Sequence, residues 1–173
     1  MSDADDRFAA CAATVMTARG AFRPHDPLLD GPSAHGIGLG LLSVWIGGPA
    51  DAALLRGLDR EAAARILRAM VWAPLGAGTL PRGPDLALFA YAIEAGTLQA
   101  LMDLQAELGV EASGAPDAPT LAATAARNPA ALARRIAGLH ATWREARGLP
   151  AQPGAPVMQR PRPPARGAAP AAC

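Results

Sequence analysis

Trp72-Ala-Pro-Leu-Gly-Ala-Gly-Thr-Leu-Pro-Arg-Gly-Pro-Asp-Leu-Ala-Leu-Phe-Ala-Tyr-Ala-Ile-Glu-Ala-Gly96 is the stretch whose reading decides the fold. Pro74, Gly76, Gly78, Pro81 and Gly83 exclude regular structure before Pro84. Pro84 suits the first position of a helix, and Asp85 sets a negative charge where the helix dipole favours one. Leu86, Phe89, Ala90 and Ile93 then recur at i, i+3, i+4 and i+7, which predicts a helix with one buried face; Gly96 breaks it. Taken alone, the stretch is a loop feeding a core helix.

Upstream, Phe8, Ala9, Ala12, Val15 and Met16 predict a first helix over residues 4–18, closed by Gly20. Pro24, Pro27, Gly31 and Pro32 make residues 21–35 a loop. Residues 36–47 are apolar almost throughout, and periodicity leaves open a buried helix or a short hydrophobic hairpin. Asp59 caps a helix over 60–71 whose inner face holds Ala62, Ile66, Leu67 and Met70.

Downstream, Thr97 opens a helix with Leu98, Leu101, Leu104, Gln105 and Leu108 aligned, ending at Gly109. A loop over 111–119 leads to a short helix over 120–126. Asn128-Pro129 starts a last helix in which Leu132, Ile136, Leu139, His140 and Trp143 form a stripe, with Arg134, Arg135, Arg144 and Arg147 elsewhere on the cylinder. Gly148 and Pro150 stop it. The expected fold is mostly α, six or seven helices with no strand pair.

From Pro150 to Cys173 the composition changes to seven prolines, Arg160, Arg162 and Arg166, and no acid. Such a Pro/Arg/Ala-rich tail is expected to be extended and disordered. The whole chain of 173 residues suffices for one domain, expected over 1–149, and is too short for two ordinary ones. All 16 basic residues are Arg, yet the net charge is +1, so no general attraction to nucleic acid or membrane follows. Cys11 and Cys173 define no disulfide framework. The acidic start Met-Ser-Asp-Ala-Asp-Asp-Arg is the opposite of a secretory leader, and the apolar run over 36–50 is too short to span a bilayer. The expectation is a protein made in the cytoplasm without a signal peptide. To act at a cell wall or in a particle it would need release by lysis or a holin-like route.

The residues from Trp72 to Gly83 resemble the lysozyme-like muramidases of glycoside hydrolase family 108, whose pattern reads Trp-x-Pro-Leu-x-x-Asp-x-Leu-Pro-x-Gly before a Phe-Asp-x-Ala-x-Asn-x-Gly helix. Leu104-Gln105-x-x-Leu108-Gly109-Val110, then Gly114 and Thr120-Leu121, resemble that family's peptidoglycan-binding segment, here over 84–148, with Ser113 where Asp is usual. In the family an early Glu-Gly-Gly-Tyr motif supplies the acid, and a loop follows that ends Gly-x-Thr-x-Tyr-Gly-Ile. The matching residues are Arg19-Gly20-Ala21-Phe22 and Gly31-Pro32-Ser33-Ala34-His35-Gly36-Ile37, with Phe22 and Ile37 at the family's spacing of fifteen positions. The resemblance implies a lysozyme-like helical domain, peptidoglycan or another cell-wall glycan as partner, and no cofactor.

The departures fall on polar positions. Arg19 stands at the acid, Gly78 at the turn Asp, Ala90 at the Asp after Phe89, and Glu94 at the Asn. Arg is permanently cationic and cannot protonate a leaving oxygen. The apolar and turn positions (Trp72, Pro74, Leu75, Leu80, Pro81, Gly83, Phe89, Gly96) are kept. The pattern therefore implies a peptidoglycan-directed binding or structural module, of a phage or phage-like particle, that has lost glycosidase activity. Phe22, Ser33, His35, Trp72 and Glu94 are its expected binding residues. Trp45 and Trp72 are candidate sugar platforms, with core packing the stronger reading for Trp45. An alternative is an active muramidase using Glu94, raised in pKa by burial, or Asp26 or Asp30, which could hold a water. Another is a particle component whose basic tail contacts DNA or protein. His25, His35, His140 and Cys11 lack metal-ligand spacing, and His140 sits in an apolar stripe as a satisfied core histidine.

Overall fold

The computed structural model describes residues 3–150. The expectations for the tail from residue 151 onward, including Cys173, lie outside the described residues. Within them the chain is mostly α: α1 (Asp3–Arg19), α2 (Leu39–Ile46), α3 (Ala52–Arg56), α4 (Arg60–Leu67), α5 (Pro84–Ala95), α6 (Thr97–Leu108), α7 (Ala118–Ala125) and α8 (Pro129–Ala146). None of these helices is long and apolar enough to cross a membrane.

α5 is the central helix. Leu88, Phe89, Tyr91, Ala92 and Ile93 are all buried, so more than one face of it is covered, as expected of a helix packed by α8, α6 and α1 together. Its start is fixed by chemistry legible in the sequence. Pro84 occupies the first turn, and Asp85 Oδ1 accepts from the backbone N–H of Gly83 at 2.7 Å and of Leu86 at 2.8 Å. Arg7 on α1 donates to Asp85 Oδ2 at 2.6 Å and to the carbonyl of Gly78 at 3.2 Å, tying the first helix to the turn. The helix after Asp59 widens at its end into a π-helical turn, Arg68–Trp72, with the Ala73 N–H bonded to the Arg68 carbonyl at 2.9 Å. Trp72 there meets Phe8 and Phe89 edge-on at centroid distances of 5.5 and 5.3 Å. This arrangement adds specific ring attraction to the burial of the three side chains.

The residues expected to be a loop form a three-stranded antiparallel sheet, β1 (Phe22–Asp26), β2 (Gly31–Ala34) and β3 (Ile37–Gly38), in that order. Phe22 pairs with Ala34 and Arg23 with Ser33, and the register shifts between Arg23 and Asp26 around Pro24. β2 and β3 join through His35 and Gly36, with φ of 55° and 88°. Positive φ at both central residues matches the twist of a tight hairpin. The sheet is a correction to the absence of strand pairs. α2 then resolves the ambiguity over 36–47 as two strand residues followed by a helix. Its run is not core throughout: Val44, Trp45 and Ile46 are 66 %, 44 % and 47 % exposed, so Trp45 does not pack inside. On α6 the buried stripe is Ala100, Leu101, Leu104, Gln105 and Leu108, and Leu98 faces solvent.

Gln105 is fully buried and organises the turn before α7. Its Nε2 donates at 2.9 Å to Ser113 Oγ, the Ala115 carbonyl and Thr120 Oγ1, and its Oε1 accepts from the Gly114 N–H at 2.8 Å. Replacing it strands buried donors and acceptors in an apolar environment. Gln105→Leu is expected to lower unfolding free energy by about 3 kcal/mol in chemical denaturation; a change below about 0.5 kcal/mol, the level of a surface substitution, would refute that role.

Candidate functional site

Arg19 is the last residue of α1 and Glu94 lies one residue from the end of α5, so two helix ends and the first strand of the sheet converge. The Glu94 side chain is 1 % exposed, and both oxygens are occupied. Oε1 accepts from Arg19 Nη2 and from Arg144 Nη2. Oε2 accepts from Arg144 Nε at 2.6 Å and from His140 Nε2 at 2.8 Å. Arg144 thus grips the carboxylate with two donors of its planar fork. The His140 bond to an ionised oxygen places that ring's proton on Nε2. Tyr91 fixes the imidazole by stacking on it at 4.8 Å and 22°.

Burial alone would push the Glu94 pKa up, as the sequence reading expected. The hydrogen bonds from His140 and Arg144 and the Arg19 charge outweigh it, and hold the carboxyl at about 2. Burial pulls the Arg19 pKa down while Glu94 and Asp26 pull it back up; the guanidinium stays charged. Arg19 Nη1 lies 3.8 Å from Asp26 Oδ2 and has no hydrogen-bond partner among the described residues.

Asp26, completely buried, is committed to the sheet: Oδ2 accepts from Ser33 Oγ at 2.8 Å and Oδ1 from the Leu28 N–H at 3.0 Å. Both its oxygens are engaged and the residue is 0 % exposed, so it does not present a carboxylate to the cleft. Ser33 is buried in the same bond and is not presented to a ligand. Asp30 is exposed, with a φ of 50°, on the wall of the larger cleft. Phe22 is half-buried under the Arg56 guanidinium, 4.6 Å above its ring. His35 is half-buried in the hairpin turn, its Nδ1 lacking a hydrogen-bond partner among the described residues. Trp72 is 5 % exposed. With Phe8 and Phe89 packed on it, its faces are closed to a sugar, which corrects its assignment as a binding residue.

Two hollows flank the cluster. The larger, 760 Å³, has walls of Leu28, Leu29, Leu41, Val44, Ile93 and Trp143, with Arg147 stacked 4.2 Å over the Trp143 ring. The smaller, 560 Å³, is walled by Arg19, Arg23, Arg144 and apolar side chains. Glu94 borders both, but through its backbone, since its carboxylate is shielded. Sequence reasoning missed Arg144, read as an outward arginine, and gave His140 no role beyond packing. Their i, i+4 spacing on one face of α8 was the available signal.

This chain is similar in structure to Brucella abortus SagA, with a TM-score of 0.73 and 29 % sequence identity over 82 % of this chain and 81 % of that one. The two folds are related. No protein-family model matches the chain, and neither does any curated protein.

The Glu94 cluster carries a pH signature. Its folded-state pKa of about 2 lies below the ordinary 4.5, so its contribution to stability is complete above pH 4.5 and fades as pH falls towards 2. Glu94→Gln is expected to flatten that acid limb in pH-dependent denaturation and to cost about 3 kcal/mol at neutral pH, since it leaves two buried guanidiniums poorly compensated. An unchanged acid limb in the variant would contradict the assignment.

Proposed function

We propose that the protein is a peptidoglycan-directed module on a lysozyme-like fold, binding wall polymer without hydrolysing it. The observation that carries this reading is the saturation of Glu94. A glycosidase acid donates a proton to the leaving oxygen. Glu94 is ionised, enclosed and bonded to four donors, so it has neither the proton nor the access. The position matching the muramidase acid is Arg19, itself consumed by Glu94. Asp26 is bound up in the sheet. The related fold of SagA and the muramidase-like turn from Trp72 to Gly83 support a wall-directed role. The 760 Å³ cleft, with Trp143 and an Arg147 cation on its wall, supplies an aromatic and donor-bearing surface of the kind that holds a ligand.

Asp30, on the cleft wall and exposed, is the observation favouring an active muramidase instead. One experiment separates the two. Purified protein incubated with peptidoglycan sacculi is expected to sediment with them and to release no reducing sugar. Release that disappears in Asp30→Asn would establish the hydrolase and overturn our reading. Failure to sediment would remove peptidoglycan as the ligand.

A further inference from the structure

The walls of the 760 Å³ cleft are mostly apolar, with Leu28, Leu29, Leu41, Val44, Ile93 and Trp143 among them. Among the described residues only Asp30, Thr97 and Arg147 offer it a polar side chain, because the Glu94 carboxylate is shielded. A hexosamine strand carries hydroxyl and amide groups around every ring. Each one buried against aliphatic carbon without a hydrogen bond costs free energy. Three polar side chains serve a glycan poorly. They suit a ligand with an apolar middle and a few fixed polar ends.

Two of those polar groups are charged, and of opposite sign. Asp30 and Arg147 are both exposed, and neither side chain makes a hydrogen bond or an ion pair among the described residues, with the other or with a third group. Each keeps its charge for a ligand. Arg147 is held by its stacking on Trp143, which lowers the cost of ordering it when a ligand arrives. A second feature marks the side that takes a cation. The last turn of α5 borders the cleft, and no backbone N–H of a described residue donates to the carbonyls of Ile93, Glu94 and Ala95. They carry the negative end of the helix dipole. Beside them Gly96 is open, with nothing within 4 Å of the place a Cβ would take.

Resting on the wall-directed function, we propose that this cleft takes the peptide of peptidoglycan and not its glycan: a short peptide of small apolar residues bearing one free ammonium and one free carboxylate. Asp30 and the carbonyls that end α5 receive the ammonium. The planar guanidinium fork of Arg147 receives the two oxygens of the carboxylate. The aliphatic wall and Trp143 cover the carbon between them. Ligand and cleft then balance charge for charge.

The test titrates the full chain calorimetrically with N-acetyl-lysyl-D-alanyl-D-alanine, with its side-chain-acetylated form, with its C-terminal amide, and with chitotetraose. The first peptide is expected to bind saturably and chitotetraose not to bind. Each derivative lacking one charge is expected to bind ~10-fold more weakly, the loss of one charge-assisted hydrogen bond. Asp30→Asn, at an exposed position, is expected to weaken the first peptide ~10-fold and to leave the acetylated form unchanged. Arg147→Gln is expected to do the same between the first peptide and the amide. A merely structural role would lower every affinity together. Tighter binding of chitotetraose, no saturable heat with the first peptide, or equal losses for both peptides in Asp30→Asn would overturn the proposal. Sedimentation with sacculi alongside any of those results would leave the wall-directed function standing, whereas peptide binding without sedimentation would uphold the cleft assignment and remove the polymer as ligand.

Discussion

The carboxylate of Glu94 is the point on which the structure turns. It collects donors from the end of α1 and from two turns of α8, while its own backbone belongs to α5. Taking these charges out of water is expensive, and only near-complete hydrogen bonding makes such a cluster tolerable. Here all the Glu94 acceptor positions used are met by cationic or imidazole donors, and the group sits inside a fold that packs around it. The cluster therefore acts less as a source of net stability than as a constraint. It fixes where three helices meet, and it cannot be half dismantled without leaving a buried charge.

This constraint gives a physical meaning to two departures from the muramidase pattern. An Arg at position 19 would be a buried cation offset only by Asp26, 3.8 Å away, against the neutral Asn the family pattern places at position 94. Glu94 supplies the missing charge, and Arg144 and His140 complete its coordination. The two changes are intelligible only together. Meanwhile the packing that positions these groups is the part that resembles the family: the Phe8–Trp72–Phe89 contacts and the Pro/Gly turn before α5. A scaffold held by apolar packing and backbone geometry does not depend on which polar groups line the cleft.

Much of this architecture was legible in the sequence, because its signals are local. Asp59 and Asn128 cap their helices as read, accepting from the N–H groups of Ala62 at 2.7 Å and Ala131 at 3.0 Å. Gly109 closes α6 in the left-handed conformation its lack of a Cβ permits. The sheet was not legible, since its strands hold five, four and two residues and are interrupted by Pro24, Pro32 and Gly36. Trp45 was misplaced because a run apolar on every side carries no information about which side faces the core. The short α3, capped by Asp51, fell below the length at which periodicity speaks. The site was the least legible part. Glu94 meets its partners across 75, 46 and 50 positions, and burial alone, the term visible from an apolar helix, pointed its pKa in the wrong direction.

The central claim is that Glu94 is a locked anion rather than an acid. Its side-chain carboxyl carbon can be followed directly by 13C NMR as the folded protein is titrated. We expect the resonance to hold its ionised shift through the weakly acidic range and to titrate near pH 2. A midpoint of about 6, where a glycosidase acid works, would contradict the account.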